Sequence, residues 1–160
     1  MPTFYIDGQS IGNEKVGQPR KARIALAFRG EGTALESPRV RVVSEEVGDK
    51  TNNEAEYHAL LQLLSIMRSH SVGGKGSTLP SLGDVKICSD SELLVKQVKG
   101  EYRVKEERLS KLREEAKKLI DGMESVRLEW IPREENIAGL WLEGKIRATQ
   151  VRPEQFLSGM

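Results

Sequence analysis

The chain has 160 residues, enough for one domain with a core that folds alone. Its 25 basic and 24 acidic side chains leave a formal charge of +1, so net charge gives no support to a polyanion partner and only a local basic cluster could supply one. A single cysteine, Cys88, excludes an internal disulfide and a cysteine-only zinc cluster. No apolar run approaches membrane-spanning length, and the N-terminal MPTFYIDG lacks a signal peptide's basic and apolar regions, so a soluble cytoplasmic protein is expected.

The elements follow in chain order. TFYID (3–7) is a short strand, ended by the turn-rich Gly8-Gln9-Ser10-Ile11-Gly12-Asn13. ARIALAF (22–28) and RVRVVSEEV (39–47) carry period-two or continuous apolar patterns rich in β-branched residues, with Gly30, Gly32 and Pro38 between them. Three strands with short links predict an antiparallel meander. From Asn52 to about Arg68, Ala55, Ala59, Leu60, Leu63, Leu64 and Met67 follow the helical period. SVGGKGSTLPSLGD (71–84) is a loop by composition and the best candidate for local disorder. VKICSD (85–90) reads as a strand with Cys88 buried, and SELLVKQV (91–98) as a helix ending near Gly100. An amphipathic helix over 105–120, a last strand VRLEWI (126–131) and a helix from about Glu135 to Ile146 complete the domain. Trp130 and Trp141 read as core residues. The boundaries are 1–148 for the domain and 149–160 for a tail to which no structure is assigned. The resulting order, βββ-α-β-α-α-β-α, predicts an α/β fold with a mixed five-stranded sheet and helices on both faces.

Ligands in such sheets bind beyond the carboxyl ends of strands, which singles out three acids. Asp7 ends the first strand, Asp90 follows VKIC directly, and Glu56 lies in the first turns of the helix after the third strand. Each has a plain structural alternative. Asp7 before Gly8 suits a turn, Asp90 or Ser91 suits a helix cap, and Glu54 and Glu56 are favoured by a helix dipole.

Taken together, the segments are more specific. DGQSIGN (7–13), TNNEAEY (51–57), CSDSELLVKQVKGEY (88–102) and WIPREEN (130–136) resemble, in order and with similar separations, the successive motifs of ribonuclease H, type 1, in its single-domain form. Those motifs are D-G-x-x-x-G-N, T-N-N-x-x-E, D-S and R-x-x-N. The resemblance spans roughly residues 3 to 146. It implies an RNase H-like fold and a metal-dependent endoribonuclease that hydrolyses the RNA strand of an RNA–DNA hybrid, leaving 5′-phosphate and 3′-hydroxyl ends. It further implies two divalent ions, Mg²⁺ or alternatively Mn²⁺, held by Asp7, Glu56 and Asp90. Hard cations take oxygen ligands, and two of them ~3.5–4 Å apart stabilise both oxygens of an in-line phosphoryl displacement. Glu56, three residues after Asn53, is the motif acid, while Glu54 is expected to face solvent. Asn13, Thr51, Asn52 and Asn53, with Ser91, correspond to substrate contacts, since neutral amides and hydroxyls can hydrogen-bond a 2′-hydroxyl.

The pattern departs at its last motif. The family's N-x-x-A-D is replaced by Asn136-Ile137-Ala138-Gly139, with Gly139 where the aspartate would stand and the spacing one residue shorter. Glu143 lies one helical turn further on the same face, so it is expected to reach back as the fourth metal ligand. Its alternative is an exposed glutamate paired with Lys145 or Arg147, with Asn136 as substitute at the metal site. The loop that carries a histidine in many family members has Arg133 instead. Arginine stays protonated, which assigns it phosphate contact or product displacement rather than base catalysis. Among the basic residues of 96–118, Lys96 and Lys99 are the expected phosphate contacts, and acidic neighbours dilute the rest. The partner expected is an RNA–DNA hybrid, with double-stranded RNA left open, no membrane, and a monomeric state. Two other readings compete: a hybrid- or double-stranded-RNA-binding module that lost catalysis, and a strand-transfer nuclease on the same fold, against which T-N-N-x-x-E argues.

Overall fold

The computed structural model describes residues 2–11, 19–29, 40–72 and 83–158. Asn13 and most of the 71–84 loop therefore lie outside the described residues. The elements are β1 (Thr3–Ile11), β2 (Lys21–Arg29), β3 (Val40–Gly48), α1 (Asn52–Val72), β4 (Asp84–Ser89), α2 (Glu92–Val98), α3 (Glu107–Asp121), β5 (Ser125–Trp130), a single 3-10 turn (Arg133–Glu135), α4 (Ile137–Leu142), β6 (Thr149–Gln150) and α5 (Pro153–Phe156). They build one mixed sheet in the order β5-β4-β1-β2-β3-β6. β1 to β3 form the antiparallel meander, whereas β4 lies parallel to β1 and β5 parallel to β4. Among the described residues, the sheet has six strands rather than five. The sixth comes from the C-terminal segment, where Thr149 and Gln150 pair parallel with Arg41 and Val42.

Strand alternation splits the apolar residues between two faces. Phe4, Ile6, Ile24, Leu26 and Val43 face a large core closed by α1, α2 and α3, with Phe156 and Leu157 of the C-terminal segment packed into it. Ala25, Ala27 and Val42 point the other way, against Ile137 and Ala138 of α4. Small side chains on that face let a single short helix approach the sheet closely. Helices therefore cover both faces, as the sequence predicts. Among the described residues, no helix is long and apolar enough to cross a membrane.

Three predicted details change. β1 does not end at Asp7, because its pairing with β2 continues to Ile11 opposite Lys21. On its other side, however, the ladder to β4 stops at Ile6 opposite Ser89. Asp7 is thus inside one ladder and just past the other. The predicted 135–146 helix is a 3-10 turn followed by a six-residue helix, since Asn136 caps one end and Gly144, at φ 74°, turns the chain at the other. Trp130 is 51% exposed rather than buried, because β5 is an edge strand. Its indole Nε1 donates to the Asp90 carbonyl at 3.2 Å.

Candidate metal centre

Asp7, Glu56 and Asp90 converge, each offering a carboxylate oxygen within 4.8 Å of the other two. Three separate elements achieve this. The parallel register of β1 and β4 sets Asp7 beside Asp90, both past the end of the shared ladder. Glu56 arrives from the opposite side of the sheet on the first turns of α1. Gly8 makes that approach possible: a Cβ there would lie 2.3 Å from the Ala55 carbonyl carbon and 2.5 Å from the Glu56 nitrogen. Only a residue without a side chain lets a helix backbone rest so close to a strand.

The start of α1 is fixed independently. Thr51 Oγ1 accepts from the Glu54 N–H at 3.1 Å, and Glu54 Oε1 accepts from the Thr51 N–H at 3.2 Å, forming a reciprocal capping box. Glu54 is therefore buried in a cap and does not face solvent as expected. Asn52 Oδ1 accepts from the Ser10 N–H at 2.8 Å, tying the helix start to the end of β1. Glu54 and Glu56, two residues apart, thus have different tasks set by the turn geometry.

The electrostatics of the cluster follow from burial. Asp7 and Glu56 are both buried. Desolvation, followed by the neighbouring Asp90 charge, pushes the Asp7 carboxyl up to about 6. Burial and then the Asp7 charge push Glu56 well above the usual carboxylate range. Asp90 is also raised, mainly by burial, with Arg133 opposing. Glu56 Oε2 and Asp90 Oδ2 are buried without a hydrogen-bond partner. Buried, like-charged carboxylates with unsatisfied oxygens suit a hard divalent cation, which would supply the missing partner and charge.

Asn136 supports the cluster from α4. Its Nδ2 donates to the Ile6 carbonyl at 2.9 Å and its Oδ1 accepts from the Ala138 N–H at 3.2 Å. The side chain is fully buried and clips the helix start to β1 one residue before Asp7. The sequence reads it as the asparagine of the R-x-x-N motif and as a substitute at the metal site; the Asn-x-Ala start of a helix is the signal for this cap. Gly139, one turn later, faces Asp7: a Cβ at this position would be 3.1 Å from Asp7 Oδ2. The missing side chain at Gly139 therefore leaves room for Asp7. Glu143 itself is not brought into the cluster. Its Oε1 accepts from Arg133 Nε at 2.8 Å, and its Oε2 lies 2.8 Å from Lys145 Nζ. Arg133 stands between, with Nη1 3.8 Å from Asp90 Oδ2.

The family described as reverse transcriptase-like matches residues 17–142. The chain belongs to that family. Within it, this RNase H-like chain is 28% identical over 133 residues to ribonuclease HI of Halobacterium salinarum, covering 82% of this chain. It spans only 57% of that relative's length. The crystal structure of RNase H1 from the same archaeon superposes with a TM-score of 0.65 at 24% identity, covering 89% of this chain and 98% of the other. An RNase H1 isolated from compost, crystallised with an RNA/DNA hybrid, gives a TM-score of 0.62 at 29% identity over 86% of this chain and 89% of its own.

The remaining candidate residues of this reverse transcriptase-like chain divide. Thr51, Asn52 and Asn53 stand together at the α1 start, next to Glu56. The Thr51 hydroxyl accepts the cap bond and keeps its proton to donate, while Asn52 keeps its amide N–H groups. Ser91 is the side-chain cap of α2, accepting from the Leu94 N–H at 3.2 Å. Lys96 pairs with Glu92 at 2.7 Å and stacks over Tyr102 at 4.8 Å, whereas Lys99 is an exposed residue at the end of α2.

Proposed function

We propose that this chain is a divalent-metal-dependent endoribonuclease that hydrolyses the RNA strand of RNA–DNA hybrids, leaving 5′-phosphate and 3′-hydroxyl ends. The observation that carries this reading is the buried Asp7–Glu56–Asp90 cluster with its two unpartnered carboxylate oxygens. Asp7, Glu56 and Asp90 would hold two Mg²⁺ ions, with Mn²⁺ as an alternative. Such ions, when bound, stabilise the charge that develops on the oxygens of an in-line phosphoryl displacement. The chain's own residues do the rest. The acids give up their protons and turn their oxygens to a common centre. Asp7 is held in line by Gly8 behind it and Asn136 before it. Thr51, Asn52 and Asn53 line the helix start, with hydroxyl and amide groups suited to a 2′-hydroxyl, the group that distinguishes RNA from DNA. Lys99, with Lys96 and Ser91 nearby, meets phosphates further along the strand. Asn13 is proposed here on the resemblance alone. Glu143 is left out of the metal set because both its oxygens are ion-paired. The chain is taken as a cytoplasmic monomer whose proposed catalytic residues lie within 1–148.

A second reading has one observation in its favour: no fourth acid joins the cluster among the described residues, and Gly139 fills that place against Asp7. It is a module that binds hybrid or double-stranded RNA without cutting. Labelled hybrid, double-stranded RNA and DNA, incubated with Mg²⁺ or Mn²⁺ and then with chelator, separate the two. Hybrid RNA is expected to be cut, with loss of cutting in chelator and in Asp7→Asn. Binding without cleavage under either metal would overturn the enzyme reading.

A further inference from the structure

Glu143 sits one residue beyond α4, where the helix carbonyls carry partial negative charge, so a carboxylate gains nothing from the helix itself. Its surroundings supply another reason for it. Arg133 Nε and Nη2 both converge on Oε1, and Lys145 Nζ meets Oε2. The backbone holds this arrangement in place. The Glu143 N–H donates to the Gly139 carbonyl at 3.0 Å, and the turn at Gly144 returns the Lys145 N–H to the Leu140 carbonyl at 2.8 Å. A guanidinium is planar, so fixing Nε and Nη2 on one oxygen also fixes where Nη1 points. It points toward the acidic cluster and stops 3.8 Å from Asp90 Oδ2, beyond hydrogen-bond length. The Arg133 side chain is 57% exposed, so the guanidinium lies at the solvent-facing rim of the cluster, its Nη1 in a long ion pair with Asp90.

We infer that Glu143 is a positioning residue: clamped by Lys145, it holds Arg133 so that Nη1, kept at a long ion-pair distance from Asp90, meets a substrate phosphate instead of closing onto Asp90. The inference rests on the hybrid-cleaving function proposed above. An unanchored cation beside three carboxylates would be drawn onto them and would compete with a divalent ion for the same oxygens. Glu143 thus stands in for the missing fourth acid by restraining a cation, not by ligating a metal.

A double-mutant cycle tests this. KM and kcat are measured on labelled hybrid, and Mg²⁺ binding by calorimetry on the protein alone, for Glu143→Gln, Arg133→Gln and the pair. With Arg133 present, Glu143→Gln is expected to raise KM about five-fold with kcat within about two-fold, the pattern of lost uniform binding. Mg²⁺ binding should weaken about two-fold through competition by the released arginine. In the Arg133→Gln background, Glu143→Gln should change neither quantity. Equal weakening of Mg²⁺ binding in both backgrounds would make Glu143 a direct ligand and overturn the inference, as would an unchanged KM in the single variant. Either failure, in a chain that cuts hybrid, leaves the proposed function standing. An unsubstituted chain that neither binds nor cuts hybrid overturns both.

Discussion

Asp7 stores in one side chain the conflict between folding and function. Its carboxyl titrates at about 6 in the fold against an ordinary 3.8. Between those values the folded chain holds a proton that the unfolded chain has released. Folded-state stability therefore falls as pH rises through that window, and the loss is complete above about 6. Asp49, held below the carboxylate range by its hydrogen bonds from Arg20, acts in the opposite sense and loses stability as pH falls. Comparison with Asp7→Asn isolates the cluster. In chelator, urea midpoints of the unsubstituted chain should decline from about pH 4 to about pH 6 relative to Asp7→Asn, which should be the more stable variant near neutrality. Mg²⁺ affinity should rise over the same interval, because ligation needs deprotonated carboxylates, and Asp7→Asn should bind Mg²⁺ more weakly throughout. At this scale the sequence named the three acids from their motifs. It misplaced Glu54, whose burial depends on a hydrogen bond back to Thr51 that composition does not reveal.

Among elements, the decisive contact is α1 against β1. Gly8 reads in the sequence as the start of a turn, yet it lies within a strand and gives the helix backbone its place. Gly8→Ala should destabilise the fold by about 3 kcal/mol, since a methyl would strike backbone and not a yielding side-chain end. It should also move Glu56 away from Asp7. Urea denaturation measures the first effect and Mg²⁺ calorimetry the second. A variant of normal stability and metal affinity would show that the helix can shift without disturbing the acids. Helical periodicity found α1 and α3 because they present long apolar stripes to the core. The expected 135–146 helix is longer than α4, whose length is set by a buried asparagine cap and a glycine turn rather than by a stripe.

For the whole molecule, the C-terminal segment belongs to the core. Phe156 is fully buried, 6.1 Å ring to ring from Phe4, and Arg41 Nη1 donates to the Ser158 carbonyl at 2.7 Å. Phe156→Ala should lower stability by about 3 kcal/mol, and removal of residues 149–160 by at least as much, both read from thermal or urea unfolding. An unaltered midpoint would mean that the segment rests on a domain already complete at residue 148. The segment was unreadable in the sequence because a two-residue strand and a four-residue helix are too short to show a period.

The sequence by itself determined the element order as far as α4, the mixed sheet and the three acids. Apolar spacing is a local property, and the motifs place each acid at a defined point within its element. Only the tertiary structure decided how the acids meet, that Gly139 faces Asp7, and that Glu143 turns to Arg133 and Lys145 instead of the cluster. Those outcomes depend on which groups the folded chain brings within contact distance. Spacing offered Lys145 as one partner of Glu143, but the Arg133 contact, ten residues back across a turn and a helix, exists only in the fold.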